Sequence, residues 1–249
     1  MTALAGEPNM RRPDRWFAVT NRLRTEGTNN LLAAAEAAGA SHFVAQSYAG
    51  WPYERQGTCV KSETDPLDPR PTPRQRQSVD AIRHLEHAVT AAPLIGVVLR
   101  YGLLYGPCVS DTTVDMVRKR KFPIVGSGKG MTSWLQIDDA AMAVLTAIDR
   151  PRPGVYNIVD DEPAPVSDWL PFMAEVLGAK PPVYLPRWVG RLAAGPAAVV
   201  LMTEARGASN KSAKNELGWQ PHWTSWREGF RHALTEPGGT PPAGTVPRI

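Results

Sequence analysis

Cysteine is scarce. Cys59 and Cys108 are the whole supply in 249 residues. Two thiols cannot build a disulfide framework and their spacing suits no metal site, so a reducing cytoplasm is the expected compartment. Long apolar runs are missing as well. The most apolar stretch, 192–202 (LAAGPAAVVLM), is interrupted by Gly195 and Pro196 and is far shorter than the ~20 residues a bilayer crossing needs. The opening MTALAGEPNMRRPDRW carries no apolar core of signal-peptide length, and no membrane partner is expected.

Charge of one sign is also missing: 28 Lys+Arg stand against 24 Asp+Glu, a net +4. Arg70, Arg74, Arg76 and Arg83 lie close together and 118–121 reads RKRK. No aromatics interleave with these cations as stacking platforms, so they read as solvated helix ends and nucleic acid is not an expected partner. No G-x-G-x-x-G occurs, the loop that lets backbone amides and a helix N-terminus meet a pyrophosphate. The one glycine cluster, Gly126-Ser127-Gly128-Lys129-Gly130, fails that pattern at Met131 and fails the P-loop pattern at Gly130. It reads as a tight turn between strands. His84 and His87 share a helix face without an evident third ligand, so no metal site is expected.

What is present is α/β grammar. The chain is 43% hydrophobic and 21% charged, enough apolar matter for a sizeable core and too little net charge for disorder. Pro13 to Ala38 has helical spacing with Gly39 as its stop. His42 to Ser47 has strand character, and a proline-rich loop follows. Arg74 to Ala92 is helical, with Val79, Ile82, Leu85 and Val89 on one face. Leu94 to Arg100 is a continuous apolar run of the kind buried on both faces of a parallel sheet. Further on, helices are expected over Thr112–Lys121, Asp138–Arg150, Asp168–Leu177 (N-capped by Ser167, with Pro171 in the first turn and Gly178 as stop) and Trp226–Leu234. The last opens with a capping box from Ser225 and Glu228. Pro123–Val125, Trp134–Ile137 and Gly154–Val159 read as strands, and residues from Glu236 onward as a flexible tail. Asp138 and Asp139 read as a helix cap followed by a first-turn acid rather than as paired catalytic carboxylates. Trp219, Trp223 and Trp226 read as packing.

Six phrases occur in order: Asn21-x5-Gly27-Thr28-x2-Leu31-Leu32-x-Ala34-Ala35; His42-Phe43-Val44-x2-Ser47; Leu99-Arg100-x4-Tyr105-Gly106-Pro107; Ile137-Asp138-Asp139-x-Ala141-x-Ala143; Val155-Tyr156-Asn157-Ile158; and Leu217-Gly218-Trp219-x-Pro221. Together they resemble the extended short-chain dehydrogenase/reductases, the NAD-dependent epimerase/dehydratase family. The resemblance implies a Rossmann-like parallel sheet over 1–110, a mainly substrate-binding small α/β domain over 111–235 with segments returning to the sheet, and a tail over 236–249. It also implies that Thr2-Ala3-Leu4 ends a fourth strand. On this reading, earlier strands on the order of 70 residues are missing, together with the glycine-rich turn, leaving Val44 and Val97 without neighbours and a hydrophobic edge exposed.

The resemblance implies NAD or NADP as cofactor, bound weakly or not at all by this chain alone, and an oxidoreductase or epimerase-type reaction on a small organic or sugar-type substrate. Ser47 matches the catalytic Ser position. The catalytic Tyr and Lys positions fall on Ser78 and Ile82, neither of which can do that chemistry, since a serine hydroxyl ionises far above a phenol's ~10. The family's diphosphate-binding Arg falls on Thr132, which argues against a nucleotide sugar. Asn21, Ser47, Tyr101, Gly102, Leu103 and Leu104 are the cofactor candidates, Gly102 by permitting close approach of a flat ring. Tyr48, Ala49 and Trp134 are the substrate candidates. A non-catalytic binding protein on the same fold is the alternative, and a homodimer stays open.

Overall fold

This computed structural model describes residues 17–107 and 109–235. Helix α1 (Ala18–Arg22) continues through a π-helical turn (Leu23–Gly27) into α2 (Thr28–Ala37). Two threonine hydroxyls answer carbonyls in this widened turn: Thr25 Oγ1 donates to Asn21 O at 3.1 Å and Thr28 Oγ1 to Leu23 O at 3.3 Å. Gly39, at φ +66°, ends the run in a left-handed conformation that suits glycine. Residues 1–16, Cys108 and the 236–249 segment lie outside the described residues, and with them the Thr2–Leu4 strand end, the start of the expected Pro13 helix and the expected tail.

Strand β1 (His42–Tyr48) is followed by a long proline-rich loop, helix α3 (Pro73–Ala91) and strand β2 (Ile95–Tyr101). Strand β3 (Leu103–Tyr105) comes next, then α4 (Asp111–Arg118), β4 (Trp134–Gln136), α5 (Ile137–Asp149) and β5 (Gly154–Ile158). The principal sheet is parallel, in the order β1–β2–β5, and β3 pairs in parallel with β4. Being the middle strand, β2 is covered on both faces. Leu32, Leu85 and Val89 pack with Ala45 and Val98 on one side, and Ala140, Ala143 and Ala147 of α5 pack with Val97, Leu99, Tyr156 and Ile158 on the other. The expectation that Val97 lacks a neighbour is therefore wrong: it sits between Val44 and Gly154 and is fully buried. The outer edges of β1 and β5 carry no further strand among the described residues, and Val44 on β1 is half-buried.

The remaining helices are α6 (Val166–Val176), α7 (Arg187–Ala193), α8 (Pro196–Thr203) and α9 (Trp226–Thr235). Their core is aromatic. Trp134 stands edge-on to Trp169 and Phe230, both with ring centroids at 4.9 Å, and Tyr105 stands edge-on to Phe230 at 5.1 Å. Trp226 and Trp219 are buried in separate clusters, while the half-buried Trp223 stacks on His232. No helix among the described residues is long and apolar enough to cross a membrane.

Two helix starts differ from expectation. Gln136, not Asp138, caps α5, its Oε1 accepting from the amides of Asp138 at 2.5 Å and Asp139 at 3.2 Å. The Asp139 carboxylate is thereby released to accept the amides of His222 and Trp223. Helix α6 starts ahead of Ser167, capped at Pro165, and so carries Pro171 in its interior. Helix α9 starts at Trp226 as expected, with the Ser225 hydroxyl accepting the Arg227 amide at 3.2 Å and donating to Glu162. In α5 and α6 an uncommon cap displaces the expected one.

Candidate active site

The carboxyl ends of parallel strands are where open α/β sheets bind their ligands, and there the principal sheet carries a polar row. Ser47 of β1, Arg100 of β2 and Asn157 of β5 are direct register partners, so their side chains share one face. Glu86 from α3 closes over two of them. The Ser47 hydroxyl donates to Glu86 Oε1 at 2.7 Å, and Arg100 grips the same carboxylate through Nε to Oε1 at 2.8 Å and Nη2 to Oε2 at 2.7 Å. Tyr53, from the loop after β1, closes the other end. Its hydroxyl accepts from Arg100 Nη1 at 2.8 Å and donates to Asn157 Oδ1 at 2.7 Å. The Asn157 backbone N–H donates to Glu63 Oε1 at 2.7 Å, and its side-chain Nδ2 donates to Ser209 O at 3.1 Å. All five side chains of the row are buried.

Burial opposes the Arg100 charge, yet the hydrogen bonds to Glu86 and the neighbouring Tyr53 oxygen outweigh it and raise its pKa. Burial also pushes the phenols of Tyr48 and Tyr53 up to about 12, against the opposing pull of Arg24 on the first and Arg100 on the second. Neither phenol ionises near neutral pH. Because Ser47 gives its proton to Glu86, it presents lone pairs, not a donor, to anything beyond it.

The other candidates are distributed unevenly. Asn21 and Ser78 meet, with Asn21 Nδ2 donating to Ser78 Oγ at 3.2 Å, while Ile82 is fully buried. Ala49 donates its amide to Tyr101 O at 2.9 Å, and the Tyr101 hydroxyl donates to Ala140 O at 2.9 Å. Gly102 does permit a close approach, but by the chain itself: a Cβ there would lie 2.6 Å from Ser133 O and 2.9 Å from Val159 Cγ1. Leu103 is exposed, Leu104 packs on the sheet core, and Trp134 lies in the aromatic core. Tyr48 is half-buried beside Trp51, with ring centroids at 6.1 Å. Thr132, in the diphosphate-arginine position, accepts a hydrogen bond from Trp169 Nε1 at 3.1 Å. His84 is matched with Asn29 at 2.9 Å, and the glycine cluster forms a turn with Gly126 and Gly128 at positive φ.

Sequence reasoning missed Glu86, Arg100, Tyr53 and Asn157 as a group. One signal was available: Glu86 sits on the helical stripe of Val79, Ile82 and Val89, and Arg100 ends an apolar strand. Charges in two apolar settings call for each other.

The model of the NAD-dependent epimerase/dehydratase family matches residues 7–159. The chain belongs to this family. A 3-diazoavenalumate denitrifying reductase of Streptomyces is 43% identical over 223 residues, spanning 88% of this chain and 73% of that protein. The family fold recurs in human epimerase family protein SDR39U1 with NADPH (TM-score 0.74, 20% identity, 92% of this chain and 79% of that one). It recurs also in UDP-glucose 4-epimerase of Thermotoga maritima with UDP-glucose (TM-score 0.70, 23% identity, 93% and 74%). Family membership and the reductase relative support an oxidoreductase-type function.

Proposed function

We propose that the protein is an NAD(P)-linked reductase of a small organic substrate whose active site departs from the Tyr–Lys arrangement. The observation that carries the reading is the buried Ser47–Glu86–Arg100 array at the carboxyl end of β1 and β2, in a chain 43% identical to a reductase. A buried ion pair is an expensive way to stabilise a core, since well-packed apolar residues do as well or better. Its position at the ligand-binding end of the sheet gives it another use: it fixes the Ser47 rotamer and directs its lone pairs.

A reduced nicotinamide dinucleotide, when bound, would supply the hydride. Two buried groups on α1 fit its polar parts: Thr20 Oγ1 and Asn21 Oδ1 have no hydrogen-bond partner, and together they offer a donor and acceptors to sugar hydroxyls or a carboxamide. Asn21 would be oriented for that task by its bond to Ser78. With Ser78 and Ile82 at the acid/base positions and the Tyr48 and Tyr53 phenols at about 12, the proton of the product comes from water on this reading. The test is oxidation of NADPH and NADH with 3-diazoavenalumate and with simple aldehydes, quinones and imines. Turnover with one class supports the reading, and silence with every substrate and both nucleotides sinks it. Silence would favour the second reading, a binding protein that kept the fold, to which Ile82 at the lysine position already points.

A further inference from the structure

Arg24 projects from the π-helical turn between α1 and α2, and π-turns recur at functional sites. Its Nη1 is buried with no hydrogen-bond partner. Neither a hydrogen bond nor an ion pair joins it to any described residue. The carboxylate within electrostatic reach, Glu86, is already spent. Its Oε1 takes the Ser47 hydroxyl and Arg100 Nε, and its Oε2 takes Arg100 Nη2. Two guanidinium groups therefore face one carboxylate, leaving over one positive charge on a half-buried side chain whose Nη1 is enclosed. Burial pulls the Arg24 pKa down, while Tyr48 and Glu86 pull it back up, and a guanidinium does not give up its proton in proteins. A half-buried guanidinium with an enclosed N–H that meets no acceptor is stabilised by an anion that supplies one.

We propose that Arg24 binds an oxyanion, either the carboxylate of an aromatic acid substrate or a phosphate of the dinucleotide. The planar guanidinium offers a fork that matches both, and the Tyr48 phenol lies within its electrostatic reach. The proposal deepens the reductase reading and rests on it for the two named sources. It needs no chemical step, so it is tested by binding.

Calorimetry with 4-hydroxycinnamate, its methyl ester, NADPH and NADH, on the full chain and on Arg24→Gln and Arg24→Lys, decides it. Thermal melts of the same variants accompany it. Arg24→Gln removes the leftover charge and is expected to melt no lower than the parent. It is also expected to lose about tenfold or more in affinity for one anion, while Arg24→Lys keeps part of that affinity. A loss confined to the acid, with the ester unaffected, assigns the substrate carboxylate. A loss confined to the dinucleotides assigns the phosphate. The proposal is overturned if the parent binds none of these anions, if Arg24→Gln binds all of them as the parent does, or if Arg24→Gln melts well below the parent, which would reveal a structural partner. Acid binding through Arg24 without any hydride transfer would refute the reductase reading and leave the oxyanion site standing.

Discussion

Ser47 and Arg100 face each other across the parallel pair β1–β2 and bond the same oxygen, Glu86 Oε1, at 2.7 and 2.8 Å. One carboxylate thus ties two strands to a helix at the carboxyl end of the sheet.

Breaking that tie from one side leaves a buried cation. Glu86→Gln keeps the shape and removes the charge, and it is expected to destabilise the fold by about 3–5 kcal/mol. Replacing Glu86 and Arg100 together with Met is expected to restore most of this. Urea unfolding of the single and double variants measures both.

Tyr53→Phe deletes only an oxygen, one that Arg100 Nη1 and Asn157 Oδ1 both use. Two buried groups lose a partner at once, so a loss of about 1–3 kcal/mol is expected despite the conserved ring. Unchanged stability would mean that water reaches the row.

Asp160 gives the chain a pH signature. Its burial, aided by Asp161 and Asp139 and opposed by the amides of Trp226 and Trp134, holds its pKa well above the ordinary carboxylate range. Below its unfolded pKa of about 3.9 the carboxyl is protonated in both states. Above that value the unfolded chain releases the proton and the folded one keeps it, so stability falls with rising pH until the folded pKa is passed. Asp160→Asn is expected to flatten this decline and to be the more stable protein on the alkaline side. Melting temperature against pH for the two proteins checks it.

Gly96 marks where β2 meets the last turn of α3. A Cβ there would lie 2.0 Å from Val89 O, a backbone atom that cannot swing aside. Gly96→Ala is expected to cost about 1–3 kcal/mol or more, and its soluble yield and unfolding midpoint report this.

What the sequence made legible follows a physical divide. The apolar run ending at Arg100 reads as a strand covered on both faces because every residue in it reports the same environment. Gly39 and Gly178 end their helices where expected because a positive φ is a local demand. The polar row was not legible in the same way. Its partners are 14, 39, 47 and 104 residues apart, and no window along the chain contains them together. Gln136 was passed over as a cap because its side chain is longer than the usual capping residues, and only its Oε1 geometry identifies it.

The row has a consequence for how the strands find their alignment. A parallel sheet of valines, leucines and isoleucines is nearly degenerate to sliding, since each shifted pairing still buries oil against oil. Sliding β2 by one residue against its neighbours would turn Arg100 from Glu86 toward the face where Leu99 and Tyr156 pack. Misaligned pairings would then strand a charge in hydrocarbon, so Ser47, Arg100 and Asn157 together act as a proofreader that lets only one arrangement of the three strands survive.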